Sequence, residues 1–255
     1  MSTGSIDPEV LVLGGTRLAR QLARTLTDAG ISALTSLAGR TRAPRQLPGP
    51  TRHGGFGGVE GLARWLHDNR PRVVVNATHA FAATISAHAA RACRRADLPL
   101  ARLVPTSWAA QPDAATWIWV ADNASAVRVV RALPDPVLLT VGRQATAEYL
   151  ALGDRDITHR VIDAPDEGLP PRWRLLNARG PFSEAAEEAL MDDPGHRIAT
   201  LVTKDSGGDQ PAAKLVVAAR TGARVVMIAR PPVPDYGIVL HDVADTLDWV
   251  RSALG

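Results

Sequence analysis

Hydrophobic positions along the 255-residue chain alternate between short β-branched runs and longer stretches with apolar residues every three or four positions. "EVLVLGG" (9–15) predicts a strand, "TRLARQLARTLTDAG" (16–30) an amphipathic helix closed by Gly30, and "ISALTSLA" (31–38) a second strand, which together make one βαβ unit. A Gly-, Pro- and Arg-rich irregular stretch (39–58) follows, then a helix near 59–69, a strand at 72–76, a helix at 81–96 and a strand near 100–104. This rhythm predicts an open parallel sheet with helices on both faces.

The segment "PTSWAAQPDAATW" (105–117) breaks the rhythm with two prolines, so a domain boundary is expected there, with domains at 1–105 and 106–255. Beyond it the alternation resumes through "WIWVA", a helix near 123–133, "PVLLT", "GRQATAEYLAL", "ITHRVID", "RLLNA", "SEAAEEALM", "IATLVT", "PAAKLVVAARTG", "RVVMIA" and a last helix near 241–253. The fold class expected is α/β in both halves.

Composition narrows the function classes. Apolar residues make up 45% of the chain, ample for a packed core, and the net charge of +3 is spread without a basic stripe carrying interleaved aromatics, which argues against nucleic acid. The N-terminus lacks a basic region followed by an apolar run, and runs such as "LVVAA" are far too short to span a bilayer, so no membrane association is expected. The single cysteine, Cys93, lies on a helical stretch as a small hydrophobe and fits a reducing, cytoplasmic setting. Nothing in the sequence demands an oligomer; a monomer is compatible with it. Of the 29 basic residues only Lys204 and Lys214 are lysines, and both fall in one short segment, which marks them as sites where a compact ammonium is wanted.

Chemistry is concentrated where strands turn into helices. "LGGTRLA" occupies the position at which a dinucleotide fold binds pyrophosphate on helix amides; Gly14 and Ala19 match the first and last positions of the glycine fingerprint and Thr16 replaces the middle one, with Gly15 and Arg17 beside it. No acidic residue appears between Asp28 and Glu60. Ser36, Arg40, Arg42, Arg45 and Arg52 stand there instead, which suits a 2′-phosphate and hence NADPH over NADH, with Arg40 the choice nearest the strand end. "VVVNATHAF" (73–81) stops a strand on Asn76, Thr78 and His79, groups a strand end usually presents to a ligand. "TVGRQ" (140–144) and "NARGPFSE" (177–184) place Arg143, Gln144 and Arg179 after strands in the same way. "LVTKDSGGDQPAAK" (201–214) combines Lys204, Ser206, Gly207, Gly208 and Lys214 around a strand-to-helix turn able to take an anion. Each of these stretches also has a plain reading as a tight turn or solvated loop.

Other chemistries fit poorly. The "KDSGG" motif sits in a one-cysteine α/β chain rather than an all-β, disulfide-bonded protease. The Tyr-x-x-x-Lys pair of short-chain dehydrogenases is missing, since Gly153 and Leu240 follow the two tyrosines at that spacing. There is no phosphate-binding Walker motif, and the seven histidines lack metal-ligand spacing.

Taken in order from about residue 10 to 232, "VLVLGGTRLAR", "SLAGRT", "RHGGFGGVEGLARWL", "NATHAFAATISAHAARAC", "LTVGRQ", "RGPF", "LVTKDSGG" and "AKLVVAARTGARVVMIARP" resemble the precorrin-6A reductase family of cobalamin biosynthesis. The resemblance implies two Rossmann-like domains with an active-site cleft between them, and NADPH-dependent reduction of the C18–C19 double bond of the tetrapyrrole precorrin-6A. Similar enzymes act on the cobalt-containing intermediate. It places Asn76, Thr78 and His79 at the nicotinamide end, gives the substrate carboxylates to Arg143, Arg179, Lys204, Lys214 and the 206–208 amides, and leaves the proton donor open among His79, Lys204 and water. His79 as a merely hydrogen-bonded residue is the competing reading. Members often carry Asp and Pro where this chain has Asn76 and Ala80, a polar residue at Leu18 and Asn at Asp205; the Asn at 76 argues either that a carboxylate there is dispensable or that this chain works differently from the others. The remaining alternatives are an NADPH-sensing protein without catalysis and an NADP oxidoreductase acting on a small carbonyl compound.

Overall fold

A computed structural model describes residues 8–38, 47–208 and 213–255, which divide into two compact units: 8–105 with 232–255, and 106–231. The first unit runs β1 (Val10–Leu13), α1 (Arg17–Asp28), β2 (Ala33–Leu37), β3 (Thr51–His53), α2 (Gly58–Asn69), β4 (Val73–Asn76), α3 (Ala83–Arg95) and β5 (Leu100–Leu103). The second runs β6 (Ile118–Val120), α4 (Asn123–Val130), β7 (Val137–Leu139), α5 (Thr146–Tyr149), β8 (Ile157–Val161), β9 (Trp173–Asn177), α6 (Glu184–Met191), β10 (Thr200–Lys204), α7 (Ala213–Thr221) and β11 (Arg224–Ile228). The chain then returns to the first unit as β12 (Ile238–Leu240) and α8 (Val243–Leu254).

Every strand pairing is parallel, and the central strands β1, β4 and β5 are buried along their whole length. Such strands need apolar side chains on both faces, because helices cover both. Alternation sorts them: Val10, Val12, Val73 and Val75 pack with Leu22 and Leu26 of α1 and Val250 of α8, while Leu11, Leu13 and Val74 pack with Leu62 and Leu66 of α2 and Ala89 and Cys93 of α3. In the second unit Leu138, Leu201, Val225 and Met227 build a core with Trp108, Trp117, Met191 and Leu215.

The strand orders are β3-β2-β1-β4-β5-β12 and β9-β8-β7-β10-β11-β6. Each follows the doubly wound pattern of a dinucleotide fold, reversing direction between β1 and β4 in the first sheet and between β7 and β10 in the second. β6 pairs with β11 in the second sheet, in keeping with its place beyond the 105–117 segment, whereas β12, which follows β11 in the chain, pairs with β5 and completes the first sheet. Residues 232–255 consequently lie in the first unit, whereas sequence reasoning ran the second domain to 255. β3 is likewise a strand inside the stretch expected to be irregular, and its three residues offer no alternation from which to predict it.

Candidate active site

The β1–α1 turn is built around steric limits. A Cβ on Gly14 would stand 2.8 Å from Cγ2 of Thr35, and Gly15 has φ +120, so both positions favour glycine. Thr16 then caps α1: its hydroxyl accepts the Ala19 amide at 3.1 Å and donates to the Ala77 carbonyl at 2.8 Å. The Ala77 amide in turn donates to the Leu13 carbonyl at 2.9 Å. The loops after β1 and β4 are thereby tied at the point where strand order reverses, the place where open α/β sheets bind ligands. Gly15 and Arg17 are exposed there, and the twelve-residue α1 directs its N-terminal amides outward. The threonine hydroxyl proton is committed to Ala77, so Thr16 shapes the turn through the backbone rather than offering that proton to a phosphate.

At the ends of β2 and β3, in register through the Ser36–Arg52 pair, the Arg52 guanidinium donates from Nη1 to Ser36 Oγ at 2.9 Å and to the Gly54 carbonyl at 3.1 Å. Its Nη2 donates to the Gly55 carbonyl at 3.2 Å, and its carbon lies 3.9 Å from the centre of the Phe56 ring. These contacts hold a half-buried cation at the end of the second strand, where dinucleotide folds recognise the ribose. Arg40, the residue preferred from sequence, and its neighbours Arg42 and Arg45 fall outside the described residues. Arg52 was visible in the same acid-free stretch, but nothing in the sequence shows that β3 brings it back beside Ser36.

After β4 the side chain of Asn76 is buried and fully engaged: Nδ2 donates to Ser86 Oγ at 3.0 Å, and Oδ1 accepts the Thr78 amide at 3.2 Å and hydroxyl at 2.7 Å. Asn76 thus shapes the loop that presents Thr78 and the exposed His79. His79 Nδ1 accepts the Phe81 amide at 3.2 Å, which places the proton of the neutral ring on Nε2.

In the second unit, Lys204 ends β10 half-buried, and burial lowers its pKa against the opposing pull of Glu148. Lys214 differs sharply from its sequence reading. Its ammonium is buried, donating to Thr203 Oγ1 at 2.5 Å and Thr140 Oγ1 at 3.3 Å, and sits 5.6 Å from the Trp108 ring. Burial, with Arg160 nearby, brings its pKa down to about 7. Two of the three turn amides are also engaged, Ser206 to the Lys204 carbonyl at 2.7 Å and Gly208 to the Thr106 carbonyl at 3.2 Å. Ser206 is half-buried and Gly207 buried.

Arg143 is half-buried, 3.7 Å from the exposed Asp166 carboxylate; Gln144 and Arg179 are exposed. The loop carrying Arg179 is anchored by groups missed in the sequence. Arg160 of β8 makes a two-pronged pair with Glu187 of α6 at 2.8 and 2.9 Å, and its flat face lies 4.2 Å from the Phe182 ring. Both partners are buried, a cost offset by the matched fork geometry. An arginine within the strand pattern "ITHRV" facing a glutamate of "EAAEEALM" was the available signal.

A doubly wound sheet with a Gly-Gly-Thr turn at its reversal point and an arginine held beside the second strand defines a dinucleotide-binding α/β protein of Rossmann type. The precorrin-6x reductase CbiJ/CobK family model matches residues 9–251, and the chain belongs to that family. It is 44% identical over 244 residues to precorrin-6A reductase of Rhodococcus erythropolis, spanning 95% of this chain and 97% of that one. It is 28% identical over 239 residues to cobalt-precorrin-6A reductase of Salmonella typhimurium, spanning 88% of each. The solved structure of a CobK precorrin-6A reductase superposes with a TM-score of 0.84 at 38% identity over 96% of both chains. Among the described residues no helix is long and apolar enough to cross a membrane, and no cluster of His, Cys, Asp and Glu could hold a metal ion.

Proposed function

We propose that this chain reduces precorrin-6A to precorrin-6B in cobalamin biosynthesis, using NADPH. The observation that carries the reading is the near full-length likeness to precorrin-6A reductases at 44 and 43% identity, against 27 and 28% for two that act on the cobalt form. A reductase of this family requires a nicotinamide coenzyme, and the first unit fits one. The Gly14–Gly15–Thr16 turn and the α1 amides take the pyrophosphate, and Arg52 with Ser36 supports the choice of the 2′-phosphorylated form. When bound, the nicotinamide supplies hydride to one carbon of the C18–C19 double bond.

The protein's own groups position the substrate and manage charge. Arg143, Arg179 and Lys204 take the acetate and propionate carboxylates, which charge-assisted hydrogen bonds hold and orient. Lys214 is buried, tying the end of β7 to β10 through Thr140 and Thr203, and acts as support rather than as a substrate contact. The proton for the neighbouring carbon is assigned to water, because a His79 ring whose Nδ1 accepts the Phe81 amide has only the weakly acidic Nε2–H of neutral imidazole to offer. Purified protein mixed with NADPH and precorrin-6A should oxidise one coenzyme per macrocycle, seen in coenzyme absorbance and in the macrocycle spectrum. No oxidation with precorrin-6A, or oxidation with the cobalt form alone, would overturn the assignment.

A further inference from the structure

We propose that Asp205 is a positioning residue that holds the 204–208 turn in the shape used to bind substrate, an inference resting on the reading that this turn meets the macrocycle. Asp205 is 2% exposed, so its carboxylate needs partners that replace water. It has three: Oδ2 accepts the Ser107 hydroxyl at 2.6 Å and pairs with Arg230 Nε at 3.2 Å, while Oδ1 accepts the Trp108 amide at 2.9 Å. Arg230 Nε also donates to the Asp205 carbonyl at 2.9 Å.

The same segment grips the far end of the turn. The Trp108 indole N–H donates to the Gly208 carbonyl at 2.7 Å, and the Gly208 amide donates to the Thr106 carbonyl. Residues 106–108 therefore bracket the turn at both 205 and 208. Gly207 and Gly208 both adopt positive φ, 73 and 78, so the turn has no regular structure to hold it otherwise. The segments joined at Asp205, 106–108 and Arg230, are also those by which the chain enters and leaves the second unit. Removing the carboxylate takes away the bonds to Ser107 and Trp108 and leaves the turn held by its Gly208 end and by the Asp205 backbone, whose amide donates to Ile228 and whose carbonyl accepts from Arg230, so that Lys204 and Ser206, which flank Asp205, are less firmly placed. A residue serving stability alone would lower the melting temperature without separating the two Michaelis constants.

The test compares wild type, Asp205→Ala, Asp205→Asn and Ser107→Ala by steady-state kinetics and by NMR hydrogen exchange of the Trp108 indole proton. Asp205→Ala should raise the KM for precorrin-6A roughly ten- to a hundredfold, keep the KM for NADPH within about twofold, and speed the indole exchange. Asp205→Asn keeps an acceptor for the Trp108 amide and should recover most of the loss. Ser107→Ala removes one bond from the opposite side and should raise the same KM about three- to tenfold, which keeps the test open if Asp205→Ala does not fold. An alanine variant with unchanged KM and exchange, equal losses for both substrates, or an asparagine variant no better than alanine would overturn the inference. If wild type fails to reduce precorrin-6A, the reductase reading falls separately. The exchange data then decide alone: acceleration in Asp205→Ala supports the positioning role, and no change refutes it.

Discussion

Arg52 and Ser36 face each other across the β2–β3 register, guanidinium to hydroxyl at 2.9 Å, with Phe56 stacked 3.9 Å from the guanidinium carbon. A cation fixed in this way has little rotamer freedom left to lose on binding a phosphate. Arg52→Ala should therefore weaken NADPH by about 1.5–3 kcal/mol, roughly ten- to a hundredfold, while leaving NADH nearly unchanged. Fluorescence titration with each coenzyme checks this. Equal weakening of both would remove the 2′-phosphate from this corner of the site.

The Thr16 hydroxyl joins two loops, capping α1 and bonding Ala77 in one geometry. Thr16→Ala should cost about 1 kcal/mol of stability, a fall of roughly 2–4 °C in Tm, through the lost cap. It should also weaken both NADPH and NADH, because the pyrophosphate turn keeps only the Ala77–Leu13 backbone bond to the β4 loop. Thr16→Ser retains the hydroxyl and should restore most of both losses. Calorimetry and coenzyme titration separate the two effects.

His159 of β8 is fully buried against the edge of Trp173, and neither ring nitrogen has a hydrogen-bond partner among the described residues. Burial lowers its pKa from an ordinary 6.5 to about 4. The unfolded chain then binds the proton more readily than the folded one, so this contribution is intact above pH 6.5 and is lost as pH falls towards 4. By pH 5 the loss should reach about 2 kcal/mol. Denaturant melts at pH 7.5 and 5 check it. His159→Leu, close in size and uncharged, should show a smaller drop between these pH values than wild type, and an equal drop would assign the acid sensitivity elsewhere.

Both α/β layers were legible because buried parallel strands such as "VVVN" are written as apolar runs and α1 as a periodic face. The strand-to-helix turns were legible because Gly14 and the strand-end polar groups carry local signals. The return of β12 to the first sheet was not, since a three-residue strand says nothing about which sheet accepts its edge. Side-chain direction was equally hidden. Lys204 and Lys214 look alike as isolated cations, yet one lies half-buried at a strand end and the other is enclosed against Thr203. Thr16 and Asn76 lie on the strand-end turns to which the sequence pointed, but their polar atoms turn to Ala77, Ser86 and Thr78, because buried donors and acceptors find protein partners first. Asp205 stood out only as a departure from a resembling family, and its partners lie 97 and 98 residues away in sequence.

The central claim is hydride transfer to a macrocyclic carbon, and isotope tracing reaches it most directly. Wild-type protein incubated with precorrin-6A and NADPH deuterated at C4 of the nicotinamide, on the transferred face, should yield precorrin-6B carrying one deuterium by mass spectrometry. The second hydrogen should come from solvent. A product without coenzyme-derived deuterium, or a macrocycle recovered unchanged while NADPH is bound, would contradict the account.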